Sequence, residues 1–98
     1  MTREMILETL RAEKSALSQF GVKRLAVFGS VARGEMRAGS DVDILVDFEP
    51  EAHVGLFQFA RLQRHLSRVL GMKVDLVTVE ALRPEMRERI LNEKVDAA

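Results

Sequence analysis

Cysteine, tryptophan and tyrosine are all absent from the 98 residues, and only two prolines, Pro50 and Pro84, punctuate the chain. Without cysteine there can be neither a disulfide framework nor a thiolate metal site, and a cytosolic address is the expectation. Neither sign of charge is in excess, because 15 basic and 15 acidic side chains cancel. That balance argues against a protein that grips long nucleic acid by its backbone, since counterion release needs a basic surface. The only aromatic residues are five phenylalanines, so stacking platforms for bases are few and base-specific recognition should be weak. No apolar run approaches the ~20 residues of a membrane helix, and Glu4, Arg11, Glu13 and Lys14 deny the N-terminal stretch the uncharged centre of a signal peptide. A chain of this length supports one domain, spanning 1–98, that buries roughly 60–70% of its unfolded surface. Repeats, low-complexity tracts and flexible linkers are missing, so the elements should share one core.

What is present alternates between helical and strand periodicity. Residues 3–20 place Ile6, Leu10, Leu17 and Phe20 on one side at helical spacing, with Gly21 as a left-handed stop. Lys23 to Phe28 reads as a buried strand that runs into Gly29-Ser30 and a short helix. Asp41 to Phe48 alternates strictly, with Val42, Ile44, Val46 and Phe48 on one face and Asp41, Asp43, Leu45 and Asp47 on the other. A second long helix follows from Gly55 to Leu70, carrying Leu56, Phe59, Leu62, Leu66, Val69 and Leu70 inward and closed by Gly71. Residues 73–79 form a third strand, in a central or near-central position, and Pro84 opens a last helix with Met86, Ile90 and Leu91 facing in. The expected architecture is α/β (α+β), a small sheet covered by helices in the order αβ(α)βαβα.

The segment between the first two strands, Gly29 to Ser40, is glycine-rich and poor in apolar residues, and function should sit there. Asp41 and Asp43 are two residues apart on a strand, so their side chains emerge on the same face with backbone positions roughly 6.8 Å apart. Two carboxylates facing one way repel unless a proton or cation neutralises them, and a hard divalent ion such as magnesium suits oxygen ligands. Asp75 interrupts the apolar Val74-Leu76-Val77 and is the third candidate, because an acid there requires a partner. Taken singly, Asp41 could be a turn or cap residue, Asp43 the exposed face of an edge strand and Asp75 half of a buried salt bridge. All three bland readings together are harder to sustain. Gly29-Ser30 supplies the other half of a site: a strand ending in a glycine turn before a helix start offers unpaired backbone N–H groups and a hydroxyl to a phosphate. Alone this signal is weak, and a plain N-cap is the commoner use. Asp41 follows Ser30 by eleven positions, enough for a short helix and a return loop to bring the carboxylates beside the cradle.

Gly29-Ser30, Arg33-Gly34-Glu35, Ser40-Asp41-Val42-Asp43-Ile44 and Val74-Asp75-Leu76-Val77 together resemble the nucleotidyltransferase superfamily that includes DNA polymerase beta, specifically its minimal nucleotidyltransferase (MNT) domain proteins. The resemblance covers nearly the whole chain and implies a small mixed sheet flanked by helices, like the polymerase beta palm. It implies that Gly29 and Ser30 hold a nucleoside triphosphate, and that Asp41, Asp43 and Asp75 bind two magnesium ions for an in-line displacement. On this reading Asp75 lies nearest the nucleophile while Asp41 and Asp43 bridge both ions. Ser40 resembles a family position that lines the nucleotide site, or is a simple turn hydroxyl. Arg33 could contact a phosphate or pair with Glu35 or Asp47.

The family further implies an antitoxin that transfers AMP from ATP to a tyrosine hydroxyl of a partner HEPN-domain ribonuclease toxin. A non-catalytic module that masks the toxin by contact, or transfer to a small molecule or RNA end, are the alternatives. Arg61, Arg64 and Arg68 form a polar stripe on the long helix, which is a solvated face or a surface for an acidic partner. His53 and His65 lack ligand-like spacing and read as loop and surface residues. The phenylalanines sit mainly at core periods.

Overall fold

The computed structural model describes residues 2–37 and 39–97. Helix α1 (Arg3–Ala12) starts where the Thr2 hydroxyl accepts a hydrogen bond from the Met5 N–H, with Glu4 in the first turn. The single helix expected over 3–20 is broken at Glu13, and α2 runs from Lys14 to Gln19. The break has a packing reason: α1 lies against the long helix, whereas α2 turns to lay Leu17 against the first strand. Glu13 is itself held by His65, whose Nε2 lies 2.6 Å from the carboxylate, with the Phe20 ring 5.6 Å from the imidazole. His65 is therefore a half-buried tie across the helices rather than a surface residue.

Strand β1 (Val22–Phe28) leads directly into α3 (Gly29–Ala32), and β2 (Val42–Phe48) returns antiparallel to it. Helix α4 (Leu56–Leu70) then crosses over so that β3 (Val74–Thr78) lies parallel to β2. A 3₁₀ turn (Val79–Ala81) connects to α5 (Pro84–Glu93), and the short β4 (Val95–Asp96) pairs antiparallel with β1. The sheet order is β3-β2-β1-β4. In this order β3 pairs only with β2, so among the described residues it is an edge strand, not the central or near-central one expected, and the last strand adds beside β1 instead. Two residues of β4 carry no periodicity that a sequence could reveal.

One sheet face buries Leu25, Val27, Val42, Ile44, Val46, Val74 and Leu76 against Ile6, Leu10, Leu17, Leu62 and Leu66. The other holds a smaller cluster of Ala26, Leu45, Leu82 and Ile90, through which α5 packs on the sheet. Along α5 only Ile90 is buried; Met86 and Leu91 remain 38% and 37% exposed. Leu56 and Phe57, at the start of α4, are also exposed, so the core stripe of that helix begins later than its first leucine. Arg61, Arg64 and Arg68 face solvent. No helix among the described residues is long and apolar enough to cross a membrane.

Gly21 joins α2 to β1 with φ +81°, and a Cβ there would stand 2.7 Å from that of Ala52. Both the left-handed backbone and the close approach demand glycine. Gly21→Ala should lower the unfolding free energy by about 1–2 kcal/mol in urea titrations, without changing the site.

Candidate active site

The strand register builds the site. Phe28 pairs with Asp43, and Asp43 pairs in turn with Asp75, so the C-terminal end of β1 and the N-terminal ends of β2 and β3 form one row. Asp43 alternates with Leu45, and Asp75 with Val77, which places both acids on the face that α5 covers only in part. The uncovered part is a cleft of about 450 Å³, whose lining includes Gly29, Ser30, Arg33, Asp43 and Asp75.

Gly29 turns the chain out of β1 with φ +72°, and a Cβ on it would collide with Oδ2 of Asp43. The backbone of the turn therefore rests directly against the carboxylate, an approach that no other residue type permits. Asp43 is only half-buried, yet burial first, and then the charges of Asp75 and Asp41, push its carboxyl above the ordinary carboxylate range.

Asp75 is exposed at the sheet edge, and neither Asp43 nor Asp75 has a basic partner within salt-bridge distance among the described residues. The buried salt bridge considered for Asp75 is not formed. Asp41 departs from expectation too. It precedes β2, is exposed, and its Oδ2 lies 3.9 Å from Nζ of Lys73. As the side chains stand, no three acids among the described residues are grouped closely enough to share an ion. Asp43 and Asp75 hold paired positions on β2 and β3, whereas Asp41 lies just outside β2 beside Lys73. The donor set nonetheless fits a hard divalent cation: it consists of carboxylates alone, on a β-ladder pair and the residue leading into it, and their repulsion is what a cation relieves.

Arg33 is engaged on both sides, with Nε 3.0 Å from Glu35 and Nη1 3.0 Å from Glu93 of α5. Asp47 is not its partner, being four positions along β2 opposite Arg24. The Ser40 hydroxyl accepts from the Arg37 N–H at 3.0 Å, the turn role, and Ser40 does not line the cleft. Met86, Arg89, Ile90 and Glu93 of α5 do line it, although the periodicity of that helix points to core packing for Met86 and Ile90 and to no site role for the other two. Their i, i+3, i+4, i+7 spacing marks one helix face. The available signal is that this face mixes apolar and charged residues, which suits a cleft wall better than a core.

Residues 7–97 match the family described as Nucleotidyltransferase domain. The protein adenylyltransferase MntA of Thermococcus cleftensis is 43% identical over 96 residues, covering 97% of this chain and 95% of that one. A solved structure assigned to the minimal nucleotidyltransferases is 41% identical and superimposes with a TM-score of 0.82, covering 97% and 95% of the two chains. The MNT antitoxin bound to the tri-AMPylated HEPN toxin of Shewanella oneidensis shares the fold at a TM-score of 0.65, with 16% identity and coverage of 94% and 71%. A glycine turn seated on a strand carboxylate, the mixed four-stranded sheet and these likenesses converge, and the chain belongs to the nucleotidyltransferase domain family as a homologue of MntA.

Proposed function

We propose that the protein is an antitoxin that transfers AMP from Mg-ATP to a tyrosine hydroxyl of a HEPN-domain ribonuclease toxin, acting in the cytoplasm as a single domain. The observation that carries this reading is the contact of the Gly29 backbone with the Asp43 carboxylate, with Asp75 beside it on the next strand. The relatives' names support the reaction and the partner, since MntA of T. cleftensis is a protein adenylyltransferase and the S. oneidensis toxin is AMPylated.

The backbone N–H groups and hydroxyl at Gly29-Ser30 receive the β- and γ-phosphates. Arg33 releases its carboxylate partners to meet the triphosphate, for which a planar guanidinium is suited. Asp41, Asp43 and Asp75 would hold two magnesium ions, which supply charge stabilisation and lower the pKa of the attacking hydroxyl. Asp75, exposed at the edge strand, accepts the tyrosine proton and passes it to solvent. The new bond joins the tyrosine oxygen to the α-phosphorus, and the bridging α–β oxygen leaves with its electron pair as pyrophosphate.

Arg33→Ala should raise the KM for ATP about tenfold and leave kcat largely unchanged, because it removes binding rather than chemistry. Its melting temperature should fall only slightly, since the Arg33 side chain is itself open to solvent and screened in its pairs with Glu35 and the half-buried Glu93.

Incubating this protein with HEPN toxin, magnesium and ATP labelled at the α-phosphorus tests the proposal. Label on a toxin tyrosine with loss of ribonuclease activity is expected. The Lys73 contact of Asp41 favours a second reading, in which the chain neutralises the toxin by masking it. Neutralisation without label would establish masking and overturn transfer.

A further inference from the structure

The cleft differs at its two ends. Gly29, Ser30, Arg33 and Glu93 make a polar end beside β1 and α3, whereas Asp75, Val77, Leu82 and Met86 make a largely apolar end at β3. This polarity follows from the path of α5, which enters from β3 through the Val79–Ala81 turn and finishes where Glu93 meets Arg33. Met86 and Glu93 are seven residues apart on that helix, a separation of roughly 10 Å along its axis.

An in-line displacement puts the attacking oxygen and the leaving group on opposite sides of the phosphorus. With the β- and γ-phosphates at the Gly29-Ser30 turn, the leaving pyrophosphate occupies the polar end. The acceptor hydroxyl must then approach from the Asp75 end, against Val77, Leu82 and Met86. That end lies at β3, an edge strand of the sheet formed by the described residues, so a segment of another protein can reach it. Met86 is 38% exposed, while Leu82 is only 8% exposed and backs the wall.

We propose that Val77, Leu82 and Met86 seat the ring of an aromatic alcohol in line with the α-phosphorus, and that Met86 is the residue that selects a phenol over an aliphatic hydroxyl. The inference rests on the transfer reading above and adds the acceptor subsite to it. A tyrosine ring gains sulfur–aromatic contact and apolar burial from this wall, while the short stem of serine or threonine leaves the wall unfilled.

The test uses the full chain with methionine methyl groups labelled for NMR, saturated with magnesium and AMP-PNP. Adding N-acetyltyrosinamide should shift the Met86 methyl resonance by the ring current, and N-acetylserinamide should not. In transfer assays with ATP, Met86→Ala should raise the KM for N-acetyltyrosinamide about tenfold, with kcat and nucleotide affinity within twofold, and Met86→Leu should restore it. Met86 shifting with AMP-PNP alone, together with weaker nucleotide binding by Met86→Ala, would place the adenine on the wall and overturn the proposal. Equal response to the two acceptors would overturn it as well. Absence of transfer to any acceptor would sink the transfer reading, and the methyl shift would still decide what the wall holds.

Discussion

Asp43→Asn should reduce AMP transfer roughly 10³-fold or more while raising the melting temperature. The loss follows from the site: Asp43 is the carboxylate against which the Gly29 turn rests, and metal-assisted charge stabilisation is worth several kcal/mol at about 1.4 kcal/mol per decade of rate. The gain follows from its titration. Burial first, and then the charges of Asp75 and Asp41, raise its carboxyl above the ordinary value of 3.8. A group whose folded value lies above its unfolded one weakens the fold as pH climbs from the unfolded value through the raised one. Below both, the carboxyl is protonated in either state and the penalty disappears. Asparagine does not ionise, so the stability advantage of Asp43→Asn over the parent should be small near pH 3 and open as pH rises to neutrality. Magnesium should narrow it by stabilising the parent alone. Thermal melts across pH, with and without magnesium, and transfer of labelled AMP check both halves. Transfer at the parental rate, or an advantage that ignores pH, would contradict the role assigned to Asp43.

Gly29→Ala should lose activity about 10²-fold or more, but with a fall in stability rather than a rise. At φ +72° an alanine bears a left-handed backbone penalty of about 1–2 kcal/mol. Its methyl would also collide with Oδ2 of Asp43 and lie 3.2 Å from Cγ, so the carboxylate must swing away from the cleft. The two terms separate in a double-mutant cycle. In an Asp43→Ala background the collision is gone and only the backbone penalty should remain, so Gly29→Ala should be less destabilising there, as urea titration would show. Strict additivity would mean that the turn and the carboxylate do not touch.

The glycine and the acids of this cleft are legible in the order of residues, because each strains an ordinary role. Asp43 on an apolar strand and Asp75 inside Val74-Leu76-Val77 oppose the burial around them, and a Gly-Ser at a strand end breaks its periodicity. The long helix and the strands are legible as well, since their apolar residues recur at fixed periods. What periodicity does not reveal is set by contacts between elements distant in the chain. The kink at Glu13 comes from α1 and α2 packing on different partners, and β3 lies at the sheet edge because the last strand, near residue 95, adds beside β1 and not beside β3. Met86 has the period of a core residue, yet the sheet below it ends in Asp43 and Asp75, so it borders a cleft instead.

By itself, then, the amino-acid sequence determined which chemistry the chain carries: carboxylates, a glycine turn and a basic side chain in an apolar α/β framework, all of them local properties of short segments. Only the tertiary structure decided which of these groups share a cleft. It put Asp43 and Asp75 on neighbouring strands, left Asp41 near Lys73, and gave Arg33 to Glu93, sixty residues away. The reason is that strand register and helix placement are settled by burying two separate apolar clusters, one on each sheet face, and polar groups take the positions that this packing leaves them.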